Sequence, residues 1–354
     1  MKERIYICHT YYHVYVTFLK ELSCPKEQRG QATLVLSSLS IDFEQLKERV
    51  ESTGLFEAVV EFDEKKETAF PELARYRQDT GNLVKNLVNR VKFTRKFARA
   101  LAPTIPVNLR KYGNIYVYCD SDPIGYYLNV YKIPYHALED GLNCLKNYDA
   151  ARYDNRGHFG LKAFLSERCN LIFIQNGYGK YCIDMEVNDL SLLKYPYRKY
   201  IEKRRQELVD RLTLEDKDII LRAFVRDMER LKAQLSDGEG DKILILTDPL
   251  CSMEIRERIF RDIIAMYEPE GRIFLKPHPR DSLDYRTLFA EYPQFDATVP
   301  MEMLNFFPGI QFKKVVAVLT EVGAIQYAQE TVRLGEAFMD KYEDPLIHRQ
   351  NEQI

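Results

Sequence analysis

The 354-residue sequence predicts an α/β fold with two doubly wound domains. Three observations favour this class: short apolar runs recur along the chain, helical patterns lie between them, and a charged stretch separates two such series. Continuous runs of β-branched and aromatic residues are typical of strands that are buried on both faces of a parallel sheet. Their alternation with helices is typical of α/β architecture.

Eight apolar runs are predicted as strands, over residues 5–8, 33–36, 58–61, 115–118 and 171–174 in the first half and 242–246, 272–275 and 315–319 in the second. A further apolar run covers residues 133–138. Helical patterns cover residues 41–52, 82–102, 255–266 and 282–290. Residues 190–235 form a charged, mostly helical stretch, which we interpret as the bridge between a first domain at residues 1–190 and a second at 191–354.

Composition excludes several classes of protein. The 51 Lys and Arg residues nearly balance the 53 Asp and Glu residues, so binding to nucleic acid is not expected. The sequence has no run of about 18 apolar residues, so no transmembrane helix is predicted. The first residues resemble a strand rather than a signal peptide.

Seven scattered cysteines without a C-x-x-C pair argue against disulfides and structural zinc, so we expect a cytoplasmic protein. The motifs of P-loop NTPases, dinucleotide enzymes, zincins and serine hydrolases are absent.

The sharpest signal is Lys276-Pro-His-Pro-Arg-Asp281, which directly follows a predicted strand. Its two prolines fix the backbone on both sides of His278. Lys276, His278 and Arg280 alternate, so part of the segment can present cations to a phosphate. A histidine beside a leaving phosphate can donate a proton or a hydrogen bond as negative charge develops. A rigid turn with solvated charges is the alternative.

Two adjacent carboxylates, Glu139 and Asp140, follow the run over residues 133–138 and precede Gly141. Gly141 permits a sharp backbone turn. Burial and mutual repulsion would raise the pKa of one carboxyl group, as a general base requires. An aspartate that caps a helix is the alternative.

The loop after the first predicted strand carries His9-Thr-Tyr-Tyr-His13. Its hydroxyl groups, imidazoles and aromatic rings suit a sugar ligand, although His13 can instead pack within the following helix. Loops that follow the first strand of an α/β domain are common ligand contacts.

Two further segments follow strands of the second half. Thr320 and Glu321 are predicted to open a helix whose backbone N–H groups would bind phosphate, although Glu321 is equally a first-turn acid that the helix dipole favours. Asp248 and Glu254 are alternative bases, although Asp248 followed by proline is also typical of a turn.

In their order, spacing and placement after strands, these motifs resemble those of the bacterial sialyltransferases, most closely glycosyltransferase family 52, the lipooligosaccharide sialyltransferase type. The resemblance runs from about residue 5 to residue 325. It implies a GT-B-type architecture, with two Rossmann-like domains facing a central cleft. The first domain would hold the acceptor and the second the nucleotide-sugar donor.

The resemblance also implies an inverting transfer, without metal or cofactor, of sialic acid from CMP-N-acetylneuraminate to a galactoside of a surface glycan. His278 would contact the CMP phosphate and assist its departure, and Asp140 would be the base, with Asp248 or Glu254 as alternatives. Thr320 stands where the family often has a phosphate contact, but Glu321 replaces the neighbouring Ser or Thr. Donor or phosphate contacts are thus predicted at Lys276, Pro279, Arg280, Thr320 and Glu321, and acceptor contacts at His9, Thr10, Tyr11, Glu139 and Gly141.

Other functions stay open on the sequence. An enzyme of UDP-sugars, such as an epimerase or another transferase, would bring in Asp120-Ser-Asp122, which resembles the D-x-D motif of metal-dependent glycosyltransferases. A catalytically silent nucleotide- or sugar-binding protein is a further alternative, and some family members are proposed to transfer glucose. A lipid-linked acceptor suggests peripheral membrane contact, for which the basic residues at 85–99 are candidates, and a homodimer is expected by analogy.

Overall fold

The computed structural model describes residues 2–38, 43, 46–64, 70–118, 120, 122–140, 145, 157–193, 197–236, 240–307, 310–320, 322–323 and 325–348. The chain divides into two compact units, Met1–Asp216 and Lys217–Ile354. Each unit contains one parallel sheet.

The first unit is built on a seven-stranded sheet in the order β3-β2-β1-β4-β5-β6-β7. All its described strand pairs are parallel. The strands are β1 (Lys2–Cys8), β2 (Ala32–Ser37), β3 (Ala58–Phe62), β4 (Tyr112–Tyr118), β5 (Tyr135–Leu138), β6 (Cys182–Val187) and β7 (Tyr200–Glu202). The chain adds strands to one side of β1 and then to the other, so the strand order reverses between β1 and β4. Ligands of α/β sheets bind beyond the carboxyl ends of the strands at such a reversal.

Helices connect most of these strands, as parallel pairing requires, and one helix follows the last strand. They are α1 (Tyr11–Leu22), α2 (Leu46–Ser52), α3 (Leu83–Leu101), α4 (Asp122–Val130), α5 (Phe159–Glu167) and α6 (Arg205–Asp210). A buried ion pair ties α1 to β1: Glu21 is fully buried and accepts hydrogen bonds from Arg4 Nε at 2.8 Å and from the Tyr6 hydroxyl at 2.7 Å. This contact fixes the position of α1 on the sheet.

The second unit has a four-stranded parallel sheet in the order β11-β10-β8-β9. Its strands are β8 (Lys242–Leu246), β9 (Arg272–Lys276), β10 (Phe312–Ala317) and β11 (Ala328–Arg333). The described α-helices are completed by α7 (Leu214–Phe224), α8 (Met228–Ser236), α9 (Met253–Tyr267), α10 (Tyr285–Leu288) and α11 (Pro345–His348). Here the strand order reverses between β8 and β10. Ile259, Phe260 and Ile263 of α9 pack against Ile243 and Ile245 of β8 in the core.

The predicted α/β class with two parallel sheets is confirmed. Seven of the eight predicted strands are present, and the run over 133–138 contains β5. The strand predicted over 171–174 is wrong, because these residues form an irregular segment whose Phe173 packs beside Phe93 and Tyr126. Residues 172–174 are apolar and buried, and burial alone does not distinguish a strand from a loop.

The first unit extends beyond the boundary predicted at residue 190. Residues 200–202 form β7, which pairs with β6 and completes the first sheet. The charged stretch over 190–235 is therefore not one helical bridge, since its first part belongs to the first unit. The division after Asp216 lies inside helix α7.

None of the helices that the structure describes is both long enough and apolar enough to span a membrane. The five cysteines that it describes, Cys8, Cys24, Cys169, Cys182 and Cys251, are free thiols.

Candidate active site

The first unit brings His13 and Asp140 into direct contact at the carboxyl end of its sheet. His13 lies in the first turn of α1, directly after β1, and Asp140 follows β5. His13 Nε2 is hydrogen-bonded to Asp140 Oδ1. The His13 side chain is 3% exposed, whereas that of Asp140 is 47% exposed. A carboxylate that solvent can reach is thus held by a buried imidazole.

The surroundings of His13 determine which ring nitrogen carries the proton. The backbone N–H of His9 donates a hydrogen bond to Nδ1 of His13 at 3.0 Å. Nδ1 is therefore an acceptor, and the proton of the neutral ring lies on Nε2. Burial lowers the pKa of His13, and the nearby Asp140 carboxylate opposes that shift. His13 Nε2–H consequently donates to Asp140, which leaves the carboxylate as the acceptor.

Further contacts hold the His13 ring in one orientation. The hydroxyl oxygen of Thr10 accepts from the His13 backbone N–H at 3.1 Å and caps α1. The imidazole stacks on the Tyr118 ring, with centroids 4.0 Å apart and planes 4° apart. The His13 carbonyl accepts from the hydroxyl groups of Tyr118 at 2.7 Å and Thr17 at 2.8 Å. The orientation of the Asp140 partner is therefore built into α1 and β4.

Three other residues predicted to contact the acceptor are buried within the first unit: His9, Tyr11 and Glu139. His9 is buried, with Nε2 3.1 Å from Glu64 Oε2. Tyr11 is buried against the Phe43 ring. Glu139 is 3% exposed and accepts from the Asn188 backbone N–H at 2.7 Å, so it links the end of β5 to the segment after β6. Gly141 lies outside the described residues.

His13 was not among the predicted site residues, and the structure shows that it packs within α1 and also contacts Asp140. A signal was present in the sequence, since His9 and His13 are four residues apart at a strand-to-helix junction. That spacing could not reveal the partner, because Asp140 lies 127 residues further along the chain.

In the second unit, His278 follows β9 in a constrained turn. Its backbone N–H donates to the Thr247 hydroxyl oxygen at 3.0 Å, and its Nδ1 accepts from the Arg280 backbone N–H at 3.1 Å. Burial lowers the pKa of His278 to about 4, and the Arg280 cation adds to that shift. The ring is therefore neutral near pH 7, with its proton on Nε2. Such a ring offers one N–H donor in a fixed direction.

The two cations that flank His278 differ in exposure: Lys276 is buried and Arg280 is exposed. Lys276 is buried, and its Nζ donates to the carbonyl oxygens of Pro277 at 2.8 Å and Ala297 at 2.9 Å. Burial lowers the pKa of Lys276 to about 8. Pro279 and Arg280 are exposed. The Lys276 ammonium thus supports the turn, and the Arg280 side chain lies at the surface.

Asp248 and Thr320 meet where the strand order reverses in the second sheet. Asp248 is 6% exposed, and its carboxylate accepts from the backbone N–H groups of Leu319 at 3.0 Å and Thr320 at 3.3 Å. The Thr320 hydroxyl also donates to it. These bonds join the segments after β8 and β10. All three donors belong to Leu319 and Thr320, so they hold the Asp248 carboxylate in place at the end of the sheet.

The helix predicted to begin at Thr320 is wrong. Strand β10 ends at Ala317, and the described residues between it and β11 contain no helix. Glu321 lies outside the described residues. Glu254 is exposed in the first turn of α9, where the helix dipole favours an acid.

Asp120 of the D-x-D sequence is a buried structural residue. It accepts hydrogen bonds from the Tyr135 hydroxyl at 2.7 Å and from the Gly177 backbone N–H at 3.1 Å. Burial raises the pKa of Asp120 to about 6. Asp122 begins α4. Within the described part of the chain, no three His, Cys, Asp or Glu residues are grouped so that they could hold a metal ion.

A cavity of about 1500 Å³ lies elsewhere in the second unit. Gly271, Arg272 and Ile273 line it at the amino end of β9, whereas His278 follows the carboxyl end of that strand. None of the predicted site residues lines this cavity.

The fold is similar to that of solved sialyltransferases. An α/β-galactoside α-2,3-sialyltransferase of Photobacterium phosphoreum is 11% identical, with 92% of this chain and 88% of that chain covered and a TM-score of 0.52. A Photobacterium 2,6-sialyltransferase, solved with CMP and lactose, is 9% identical, with 99% and 77% covered and a TM-score of 0.57. The GT-B domain of the Photobacterium damselae sialyltransferase is 11% identical, with 90% and 86% covered and a TM-score of 0.53. At these identities, the likeness shows the fold, which is that of GT-B glycosyltransferases.

The sequence itself matches the model of glycosyltransferase family 52 over residues 60–320. The chain belongs to this family, as the motifs predicted. It is also 28% identical over 125 residues to an uncharacterized protein of Haemophilus influenzae, a match that covers 34% of this chain and 39% of that protein. The match thus spans about two fifths of the curated relative's length.

The environment of His278 predicts a specific pH dependence of stability. Its pKa is about 4 in the folded chain and 6.5 ordinarily, so the unfolded state binds more protons between these values. Stability that is present above pH 6.5 is therefore lost as the pH falls towards 4. Between pH 7 and pH 5, we expect the wild-type free energy of unfolding to fall by about 2 kcal/mol more than that of His278→Gln.

Urea unfolding of both proteins at the two pH values measures this difference. Glu254→Gln, which replaces an exposed side chain in the same unit, is the control. Its free energy of unfolding should fall between pH 7 and pH 5 by as much as that of the wild type. Equal losses in the wild type and His278→Gln would show that His278 is not held in the neutral form.

Proposed function

We propose that this chain transfers sialic acid from CMP-N-acetylneuraminate to the galactoside of a surface glycan, with inversion and without a metal. The observation that carries the proposal is the exposed Asp140 carboxylate held by the buried, neutral His13. Membership of glycosyltransferase family 52 supports it. The fold shared with a 2,6-sialyltransferase that binds CMP and lactose supports the choice of donor and acceptor.

The first unit would supply the base. An acceptor hydroxyl must lose its proton as its oxygen attacks the anomeric carbon of the donor sugar. Asp140 suits this role because its carboxyl group is partly exposed and is oriented by His13 Nε2–H. Asp248 suits it less, because its carboxylate is buried and already accepts three hydrogen bonds. Glu254 is exposed on a helix, with no described contact that orients it.

The second unit would stabilise the leaving group. As the bond between the anomeric carbon and the phosphate oxygen breaks, negative charge grows on the CMP phosphate. His278 Nε2–H can donate to that oxygen, since Nδ1 is already an acceptor and the ring is fixed by its turn. The exposed Arg280 guanidinium suits a contact to the single phosphate. Fixed donors of this kind can replace a metal when only one phosphate carries the charge.

The remaining predicted donor contacts have supporting roles in this proposal. Lys276 orders the turn through carbonyl groups, and Thr320 holds Asp248. The carboxylate of Asp248 thus keeps the ends of β8 and β10 together near the turn that carries His278. We place the reaction in the cytoplasm, where the free thiols of the described cysteines would remain reduced.

Nucleotide binding tests the donor directly. The wild-type chain should be stabilised by CMP, and the effect should survive EDTA, because the proposed phosphate contacts are side chains of the protein. At about 100 times its dissociation constant, CMP should add about 2.7 kcal/mol to the free energy of unfolding. A thermal-shift titration with CMP, CDP, UDP, GDP and ADP measures the preference.

Arg280→Gln should weaken CMP binding, whereas Arg258→Gln should not, since both are exposed cations of the second unit and only Arg280 adjoins His278. A preference for UDP, or a shift that EDTA abolishes, would exclude the proposed donor site. No shift with any nucleotide would contradict donor binding altogether.

Replacement of the base tests the catalytic assignment. Asp140→Asn keeps the shape of the side chain but cannot accept a proton, so we expect turnover to fall by about 10²- to 10⁴-fold. The melting temperature should change little, because Asp140 is about half exposed. Transfer of sialic acid from CMP-N-acetylneuraminate to lactose, followed by chromatography, measures turnover.

Asp218→Asn is the matched control, since Asp218 is an exposed aspartate, 62% accessible, of helix α7. An Asp140→Asn variant that keeps more than a tenth of wild-type turnover would exclude Asp140 as the base.

A His13 variant tests whether His13 orients the base. His13→Phe can retain the stacking on Tyr118 but loses the hydrogen bond to Asp140. We expect kcat to fall at least tenfold while the KM for CMP-N-acetylneuraminate stays within twofold, because the donor contacts lie in the second unit. Steady-state kinetics separates the two constants. A rise in KM without a loss of kcat would show that His13 does not act through the base.

A further inference from the structure

Arg205 is a largely buried arginine beside the candidate base. It is the first residue of helix α6, and its side chain is 11% exposed. Its Nη2 donates to the carbonyl oxygen of Glu139 at 3.3 Å, so the guanidinium lies against the residue that precedes Asp140 in the chain. Burial is the main cause that lowers the pKa of His13, and the nearby Arg205 charge adds to that shift. A cation of the first unit is therefore held close to the contact between His13 and Asp140.

The hydrogen bonds of the Arg205 guanidinium are long. Besides the bond from Nη2 to Glu139, Nη1 donates to the Lys203 carbonyl oxygen at 3.3 Å. Both distances exceed the usual N–H···O distance of about 3.0 Å. The nearest contact to a carboxylate joins Nη1 to Glu139 Oε2 at 4.0 Å, and Nε is buried without a hydrogen-bond partner in the part of the chain that the structure describes. Part of the donor capacity of this cation is therefore unused.

Two other buried arginines differ from Arg205 in their partners. The side chains of Arg4 and Arg256 are 9% and 8% exposed, close to the value for Arg205. Arg4 Nε donates to the Glu21 carboxylate at 2.8 Å, and Arg256 Nη1 donates to the Asp281 carboxylate. Arg205 has no carboxylate within hydrogen-bond distance among the residues that the structure describes. A buried cation without a close anion is energetically costly, so the contrast indicates a place for a bound anion.

The carboxylates whose charges act on Arg205 are already bonded to other donors. Glu139 and Glu186 both raise the pKa of the Arg205 guanidinium, against the opposing and larger effect of burial. Glu139 accepts from the Asn188 backbone N–H at 2.7 Å, and Glu186 accepts from Lys20 Nζ at 2.6 Å. A ligand with its own carboxylate would therefore supply the close anion that these side chains do not.

We propose that Arg205 binds the carboxylate of the donor sugar and so selects an acidic sugar over a neutral one. The fork of a guanidinium matches the two oxygens of a carboxylate. In sialic acid, that carboxylate is bonded directly to the anomeric carbon, which the acceptor oxygen attacks. Because the acceptor hydroxyl gives its proton to Asp140, the sugar carboxylate must come close to Asp140, where Arg205 lies. A glucosyl donor has only a hydrogen atom in that place. The inference rests on the proposed transfer of sialic acid.

A donor without the negative charge tests the inference. The methyl ester of CMP-N-acetylneuraminate, formed at the sugar carboxylate, keeps every other group of the donor. With lactose as acceptor, the wild type should show a higher kcat/KM for the acid than for the ester. In Arg205→Gln, the ratio of the two kcat/KM values should fall about 10- to 100-fold, as expected when charge-assisted hydrogen bonds are lost. Differences in the intrinsic reactivity of the two donors cancel, because both proteins use the same pair.

A neighbouring arginine provides the matched control. Arg204 is 55% exposed and pairs with Glu202, so Arg204→Gln removes the same charge from the adjacent position and should leave the ratio within about twofold of the wild-type value. Arg205→Lys keeps the charge but not the fork, so its ratio should lie between those of the wild type and Arg205→Gln. If Arg205→Gln does not fold, Arg205→Lys supplies the test. Melting temperatures establish that each variant is folded.

Calorimetric titration with CMP separates the sugar carboxylate from the phosphate. CMP contains no sugar acid, so the wild type and Arg205→Gln should bind it with equal affinity. Weaker CMP binding by Arg205→Gln would assign Arg205 to the phosphate and overturn the inference.

Three kinetic results would also overturn it. These are a wild type that uses the ester as well as the acid, an Arg205→Gln ratio equal to that of the wild type, and an equal loss with both donors, which would show a structural role. Each of them leaves the proposed reaction intact as long as the wild type transfers sialic acid to lactose. A wild type that transfers from neither donor would refute the proposed function itself, and the inference with it.

Discussion

The hydrogen bond from His13 to Asp140 is the contact on which the candidate site of the first unit depends. It joins helix α1 to the end of strand β5, at the edge of the sheet where the carboxyl ends of parallel strands converge. The His9 backbone N–H fixes the tautomer of His13, and the Tyr118 ring fixes its plane. The buried bond between Glu21 and Arg4 holds α1 to β1 and so supports the same geometry.

The two units use carboxylates at strand ends in opposite ways. Asp140 is about half exposed and is held by an imidazole, so solvent can reach its carboxyl group. Asp248 is buried and accepts three donors from the segment after β10, so its charge is used to hold the sheet end together. His278 and His13 are alike in another respect, since in both a backbone N–H occupies Nδ1 and directs the remaining proton to Nε2.

Much of the fold could be predicted because a strand that is buried on both faces has a nearly continuous run of apolar residues. The runs that became β1, β2, β8 and β9 are almost wholly apolar. Strands β6, β7 and β11 lie towards or at the edges of their sheets and carry more polar residues, so they were missed. The domain boundary predicted after residue 190 lies too early for the same reason, because β7 has only three residues and little apolar character.

The sequence by itself determined the α/β class, the family and the turns that carry Asp140 and His278, because these depend on local patterns of burial, proline and charge. Only the tertiary structure decided what each side chain does. Contact between His13 and Asp140 requires the crossovers that bring β1, β4 and β5 together. The roles of Asp248 and Lys276 likewise depend on residues that are distant in the chain. The Asp248 carboxylate accepts from the Leu319 backbone N–H, and Lys276 Nζ donates to the Ala297 carbonyl oxygen. Hydrogen-bond partners and burial depend on those neighbours, so local sequence cannot specify them.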